Sequence, residues 1–132
     1  MELRISRAAL DEILSAASAA PDAEICGLLL GRGATVTALR PCANVAADPR
    51  DSFEVDPAAL IAAHRAARAG GPALVGHYHS HPSGSADPSA RDAAAAAPGS
   101  YWIIAGGGEL RAWYADGRGR FQAVTIVPAD NR

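Results

Sequence analysis

The alternation of apolar and polar residues along the chain predicts three helices. Between Ala9 and Ala17 the apolar residues recur at three- and four-residue intervals, which is the spacing of one helix face, and Ser6 stands where it can cap that helix. A second helix is predicted to open at Asp56-Pro57, because proline suits the first helical turn, and to end at the next pair of glycines. A third, short helix is predicted for "SARDAAAAA".

The strands are predicted from two other patterns. Continuous apolar runs flanked by turn residues, such as "EICGLLLGR" and "ALVGHYHSH", indicate buried strands, and "ATVTALRPCANV" alternates β-branched and polar residues and is predicted to pair with the first run. "LRIS" and "SFEV" are predicted as short strands, and "YWIIAG", "ELRAWYA" and "RFQAVTIV" as three more. The chain is therefore predicted to be an α+β domain, whose mixed, mostly antiparallel sheet of about six or seven strands is flanked by about three helices.

Length and composition limit the class of protein. The length of 132 residues fits one domain, so residues 1–132 are predicted to form a single domain. Apolar residues make up 49% of the chain and charged residues 20%, which are ordinary globular values and argue against wholesale disorder. The formal net charge of −2 gives no electrostatic reason to expect nucleic acid as a partner.

The sequence also bears on the compartment in which the protein is expected. The N-terminus, "MELRISRAALDE", lacks the apolar run of a secretion signal, and "ICGLLLG" is too short to span a bilayer, so no membrane partner is expected. Cys26 and Cys42 do not form a C-x-x-C motif, and they are expected to be buried small hydrophobic residues in a reducing compartment. A cytoplasmic location is therefore predicted.

The candidate chemistry lies in a cluster of histidines. Three of the four histidines in the chain, His77, His79 and His81, fall within five residues. Because side chains alternate faces along a strand, all three are expected to point the same way, and two neighbours could reach one ion. The turn after His81 and a helix beginning near Ser89 are expected to bring Asp92 back toward them. Two histidines and one carboxylate leave a fourth tetrahedral position open, which is typical of a catalytic zinc site.

Other interpretations of these residues remain open at this point. Iron uses the same ligand types in a two-His-one-carboxylate site. A single histidine in a strand is more often a hydrogen-bonded core residue than a ligand, and Ser89 and Asp92 match the helix capping box S-x-x-[DE], which alone could explain both. His64 lies on an alanine-rich predicted helix and is expected at the surface.

Taken together, the motifs resemble one family. "HSHP", six residues and then "SARD" give the pattern H-x-H-P-x₆-S-x-x-D, and "EICG" gives E-x-x-G ahead of an apolar strand. This combination resembles the signature of the JAMM (MPN+, or JAB domain) zinc metallopeptidases, and "FEVDP" and "GHYHSHP" resemble their small prokaryotic members. The resemblance implies a single compact JAMM/MPN-like domain.

The resemblance also implies a role for each residue of the motif. His79, His81 and Asp92 are the implied ligands of one zinc ion per chain, with water in the fourth position. Glu24 is the implied general base and Ser89 the implied stabiliser of the oxyanion. Only the resemblance selects Glu24, because Glu54 and Glu109 are equally ionisable residues of the same chain. His77 falls outside the family's ligand set and is expected to support the strand.

The same resemblance implies a substrate class. Family members cleave a peptide or isopeptide bond after the C-terminal Gly-Gly of a ubiquitin-like protein, and small prokaryotic members resemble enzymes that act on sulfur-carrier proteins of this type. An extended tail is expected to bind as an added strand at a sheet edge, and an exposed edge would also allow a homodimer. The alternatives are a non-catalytic MPN-type scaffold and a JAB protein associated with DNA repair.

Overall fold

The computed structural model describes residues 1–129 and contains seven strands and three helices in that part of the chain. The strands are β1 (Glu2–Ile5), β2 (Cys26–Arg32), β3 (Thr35–Cys42), β4 (Ala73–Ser80), β5 (Tyr101–Gly106), β6 (Glu109–Ala115) and β7 (Phe121–Pro128). The helices are α1 (Arg7–Ser18), α2 (Pro57–Arg68) and α3 (Ala90–Ala95). The predicted α+β class and the number of elements are confirmed.

The strands form one mixed sheet that closes into a barrel in the order β1-β3-β2-β4-β5-β6-β7. Neighbours pair antiparallel at β2–β3, β2–β4, β5–β6 and β6–β7, and parallel at β4–β5, β1–β7 and β1–β3. The expected exposed sheet edge is therefore largely absent from the described chain. The barrel is weakly closed only between β1 and β3, which pair at the single position Arg4 and Thr35, and we call this junction the β1–β3 seam.

The helix boundaries follow from local capping chemistry. The Ser6 side chain accepts a hydrogen bond from the backbone N–H of Ala9, as its position predicts for the N-cap of α1. Asp56 caps α2 by accepting from Ala58 N–H, and Pro57 occupies the first turn, where a missing N–H costs nothing. No helix in the described residues is both long enough and apolar enough to cross a membrane.

One predicted strand is wrong. "SFEV" does not form a strand: Val55 makes only an isolated antiparallel bridge to Asn44, outside the seven strands of the sheet, and the rest of the segment 43–56 is irregular. The reason is that this segment folds around the Asn44 side chain, which bonds to the backbone on both sides of Phe53 and so replaces a strand partner. The segment lies next to the histidine cluster, as described below.

The faces of the central strands pack into two clusters. The larger one contains Leu29 and Tyr78 and lies under α1, and the smaller one contains Cys26 and Leu28 and lies under α2. Cys26 is buried as expected, which raises the pKa of its thiol to about 12, whereas Cys42 is half-buried. Because side chains alternate, the strand pairing puts the histidines of β4 on the Cys26 side of the sheet.

Close packing explains why position 27 of the E-x-x-G motif is a glycine in this structure. A Cβ atom built on Gly27 would overlap the Tyr78 ring, which lies across it from β4. Only glycine lets that ring approach the strand backbone so closely. The glycine thereby fixes how β2 and β4 pack immediately beside Glu24 and His79.

Candidate metal centre

The two histidines of the H-x-H motif come together at the end of β4. His79 lies in the strand and is fully buried, and His81 follows the last strand residue, Ser80. Their Nε2 atoms are 3.2 Å apart. Both imidazoles therefore present the same nitrogen to one point, as the alternation of strand side chains predicts.

Asp92 completes this cluster from α3. Its Oδ1 lies 3.2 Å from His79 Nε2, and its Oδ2 lies 3.1 Å from His81 Nε2. Burial alone would raise the pKa of this carboxyl, but its hydrogen bonds to His79 and His81 outweigh burial and hold the pKa well below its usual range. Asp92 thus remains a carboxylate, the form that can bind a cation.

The spacing of these donor atoms fits a single metal ion. Tetrahedral zinc with bonds of about 2.0–2.1 Å places its ligand atoms about 3.3–3.4 Å apart. The two Nε2 atoms lie 3.2 Å apart, and each lies 3.1 to 3.2 Å from a different carboxylate oxygen of Asp92. Small movements of the side chains would therefore accommodate one ion, and two nitrogens with one oxygen are donors that zinc accepts.

The two imidazoles are oriented in different ways. His81 Nδ1 lies 2.8 Å from the carbonyl oxygen of Ser85, which can only accept, so this nitrogen carries a hydrogen, and Nε2, which faces Asp92, is the nitrogen that would bind a metal. His79 Nδ1 is buried without a hydrogen-bond partner among the described residues. Instead, the Phe53 ring stacks on the His79 ring, with centroids 4.3 Å apart and planes inclined by 22°.

Glu24 is the second carboxylate that faces the histidine pair. It immediately precedes β2 and is buried, with 6% of its surface exposed. Glu24, His79 and His81 each place a potential ligand atom within 4.8 Å of the others, so this group could also hold a metal ion. Burial raises the pKa of Glu24 to about 7, and its Oε1 has no hydrogen-bond partner among the described residues.

The backbone around Glu24 is held by polar contacts from two sides. Ser80 Oγ accepts from Ile25 N–H at 2.9 Å, and the Ser80 N–H donates back to the Ile25 carbonyl at 3.1 Å. Glu24 N–H donates to the Pro49 carbonyl at 2.7 Å. The other glutamates considered from the sequence, Glu54 and Glu109, are exposed, so burial separates Glu24 from them.

Ser89 begins α3 and forms the capping box that its spacing predicts. Ser89 Oγ accepts from Asp92 N–H at 3.1 Å, and Asp92 Oδ2 accepts from Ser89 N–H at 2.8 Å. The serine also borders a cavity of about 210 Å³ together with Glu24 and His81. Ser89 therefore caps α3 and also lies beside the metal centre.

The remaining histidines lie outside the donor cluster. His77 packs edge-on against Trp102, with ring centroids 4.0 Å apart, and burial lowers its pKa to about 3. His64 is exposed on α2, as expected. Three residues that contact the site, Asn44, Phe53 and Ser85, were not predicted, because no local motif distinguishes them from ordinary loop residues.

Gly106 offers a test of how the Ser85 loop supports His81. A Cβ atom on Gly106 would lie 2.5 Å from Ser85 C and 2.8 Å from Ala86 N, and Trp113 Nε1 donates to the Ala86 carbonyl at 3.0 Å, which restrains the loop. We expect Gly106→Ala to cost about 1–3 kcal/mol of unfolding free energy and to weaken metal binding about 10-fold or more, because the Ser85 carbonyl must shift.

Thermal unfolding and a metal titration measure both effects of Gly106→Ala. Gly107→Ala is the matched control: its φ is +61° and a Cβ atom there meets nothing within 4 Å, so about 1 kcal/mol of backbone strain is expected without loss of metal affinity. If both alanine variants weakened metal binding equally, the Ser85 loop would not be what holds His81.

Comparisons with known proteins agree with this geometry. Residues 6–116 match the family described as prokaryotic homologs of the JAB domain. The chain is 41% identical over 109 residues to the desampylase of Haloferax volcanii. The aligned region covers 77% of this chain and 78% of that protein.

Solved structures share the fold over nearly the whole chain. A Desulfitobacterium hafniense protein is 27% identical with a TM-score of 0.82, covering 99% of this chain and 94% of that one. A JAB1/MPN domain protein of Archaeoglobus fulgidus is 25% identical with a TM-score of 0.61, covering 95% of this chain and 96% of that one. The resemblance drawn from the motifs is confirmed, and the chain belongs to the prokaryotic JAB family as a small JAMM/MPN domain.

Proposed function

We propose that the chain is a zinc-dependent peptidase that hydrolyses the peptide or isopeptide bond after the C-terminal Gly-Gly of a ubiquitin-like protein of the sulfur-carrier type. The enzyme class itself, a JAMM-type hydrolase, is given by the family and by the desampylase relative. The observation that carries the proposal is the donor cluster of His79, His81 and Asp92, with the buried Glu24 carboxylate beside it. Residues 1–132 would act as one domain, in the cytoplasm.

In this mechanism His79, His81 and Asp92 would hold the zinc ion. When bound, zinc lowers the pKa of a coordinated water toward about 7 and polarises the scissile carbonyl. Glu24 takes the water proton and later gives it to the leaving amine. A buried carboxyl whose pKa is raised to about 7 is suited to both transfers at neutral pH.

Ser89 can stabilise the developing oxyanion without giving up its role as helix cap. A hydroxyl has one donor and two acceptor positions. The cap uses an acceptor position, because Ser89 Oγ accepts from Asp92 N–H. Its O–H therefore remains free to donate to the carbonyl oxygen, where negative charge builds up in the transition state.

Both the relative and the steric demands of the site favour one substrate class. The Haloferax volcanii relative is a desampylase, and this supports a conjugated ubiquitin-like protein as the substrate. Glycine is the residue whose backbone can approach a metal centre without side-chain clash, which favours a Gly-Gly end. Because the sheet closes except at the β1–β3 seam, strand addition of the tail would be confined to that seam.

Metal removal tests the zinc part of the proposal. We expect the purified protein to hold close to one zinc per chain, to lose hydrolysis after dialysis against a chelator, and to regain it on adding zinc, since all three ligand side chains converge on one point. Elemental analysis measures the zinc content per chain, and cleavage of a fluorogenic fusion to a Gly-Gly-ended carrier measures the rate of hydrolysis. Full activity in metal-free protein would contradict the proposal, and stable carrier capture without turnover would favour a non-catalytic scaffold.

A further inference from the structure

The side chain of Asn44 is fully committed to hydrogen bonds beside the metal centre. Its Nδ2 donates to the carbonyl oxygens of Glu24 and Ser52, at 3.0 Å each. Its Oδ1 accepts from the N–H groups of Ala46 at 3.0 Å and Glu54 at 3.1 Å. An amide offers two donors and two acceptor positions, so every position of Asn44 is used.

Two of these bonds bracket Phe53. The Ser52 carbonyl and the Glu54 N–H belong to the peptide groups on either side of Phe53, and both bind the Asn44 amide. The Phe53 ring in turn stacks on His79 at 4.3 Å. Metal-binding histidines are usually oriented by a hydrogen bond on the second ring nitrogen. His79 Nδ1 has no such partner in the described chain, and its ring is instead packed between aromatic side chains, with Phe53 stacked at 4.3 Å and Trp102 edge-on at 5.4 Å.

A third bond of Asn44 reaches the other side of the centre. It holds the carbonyl of Glu24, whose N–H is bound by Pro49 from the same irregular segment, 43–56. The Glu24 side chain makes no compensating bond through Oε1. Its position relative to the histidines therefore depends on how its backbone is held.

We propose that Asn44 is a positioning residue: it holds the Glu24 backbone directly and the His79 ring through Phe53, and so fixes the position of Glu24 relative to His79. The inference deepens the proposed function and rests on it for the role of Glu24, but its effect on His79 concerns metal binding alone. Replacing Asn44 leaves the Glu24 and Ser52 carbonyls and two N–H groups without their shared partner. The segment 43–56 then loses the contact that aims Phe53 at His79.

The first arm of the test measures zinc affinity by competition with a chromophoric chelator, and it needs no substrate. We expect Asn44→Ala and Phe53→Leu each to weaken zinc binding about 10-fold, and the double variant to be no weaker than either alone, because Asn44 acts through Phe53. Asn44→Ser is used if Asn44→Ala does not fold. Thr37→Ala is the control, since it removes an exposed side-chain bond to the Leu30 carbonyl on the next strand.

The second arm measures turnover of a ubiquitin-like domain ending in Gly-Gly and joined to a fluorescent lysine peptide. At saturating zinc, we expect Asn44→Ala to lower kcat about 10–100-fold with little change in KM, because misplacing a reacting group by about 1 Å has an effect of that size. In a Glu24→Gln background the same substitution should change kcat by less than about threefold. A general loss of structure would lower both backgrounds alike.

The outcomes separate the inference from the proposed function. Unchanged zinc affinity in Asn44→Ala, or losses that add up in the double variant with Phe53→Leu, overturns the inference. Equal kcat losses with and without the Glu24 carboxylate also overturn it. If the wild type cleaves nothing, the proposed function fails, and the zinc-affinity comparison alone then decides whether Asn44 positions His79.

Discussion

Glu24→Gln is expected to slow hydrolysis by roughly 10²–10⁴-fold while the protein keeps its zinc. Glutamine has nearly the same shape as glutamate, so packing beside Gly27 and the histidines is retained, but the amide cannot accept a proton from water. That range is the usual contribution of a positioned general base. Single-turnover cleavage of the carrier fusion measures the rate, and elemental analysis of the same sample measures the zinc.

Glu109→Gln is the matched control for this variant. Glu109 is exposed at the start of β6, so the same chemical change there should leave the rate unchanged. The zinc measurement matters as much as the rate. If Glu24→Gln lost its zinc, Glu24 would be a ligand, which the grouping of Glu24 with His79 and His81 also permits, and the general base would have to be sought elsewhere.

Asp92→Asn is expected to weaken zinc binding by roughly 10²–10³-fold. A structural zinc site is worth about 10–16 kcal/mol over about four ligands, so one ligand contributes about 2.5–4 kcal/mol. The substitution removes the negative charge between the two imidazoles and replaces one of the two carboxylate oxygens with an NH2 group that cannot bind a cation. Competition with a chromophoric chelator measures the affinity, and the folded fraction is followed by circular dichroism.

Asp11→Asn is the control for Asp92→Asn, because Asp11 is an exposed aspartate on α1. Opposite results are expected for the two carboxylates of the site. Asp92→Asn should lose its metal and, as a consequence, its activity, whereas Glu24→Gln should lose activity and keep its metal. Normal zinc affinity in Asp92→Asn, together with zinc loss in Glu24→Gln, would exchange the two roles. Normal affinity in both would remove the basis for this metal centre.

The sequence predicted the donor cluster because its information is local. His79 and His81 are two residues apart on one strand face, and the capping box places Asp92 three residues after Ser89, so strand and helix geometry decide where these groups point. Glu24 could not be found in this way. Its proximity to the histidines comes from the pairing of β2 with β4, and only the family motif identified it in advance.

What could not be predicted depends on contacts between segments that are distant in the sequence. The "SFEV" segment has the residue types of a strand, but the Asn44 amide competes for its backbone groups and keeps it irregular. The sequence pattern predicts Phe53 to be an ordinary strand residue, but in the fold its ring stacks on His79. The closure of the sheet likewise depends on β1 pairing with β7 from the far end of the chain.

The most direct test of the proposed function is an intact-mass time course. Zinc-loaded wild type and Glu24→Gln are mixed separately with a ubiquitin-like carrier that is extended or conjugated beyond its Gly-Gly terminus. We predict that the wild type releases a carrier whose mass ends at Gly-Gly, and that Glu24→Gln does so roughly 10²–10⁴-fold more slowly. An unchanged carrier mass with wild-type protein that holds one zinc per chain would contradict the proposed activity.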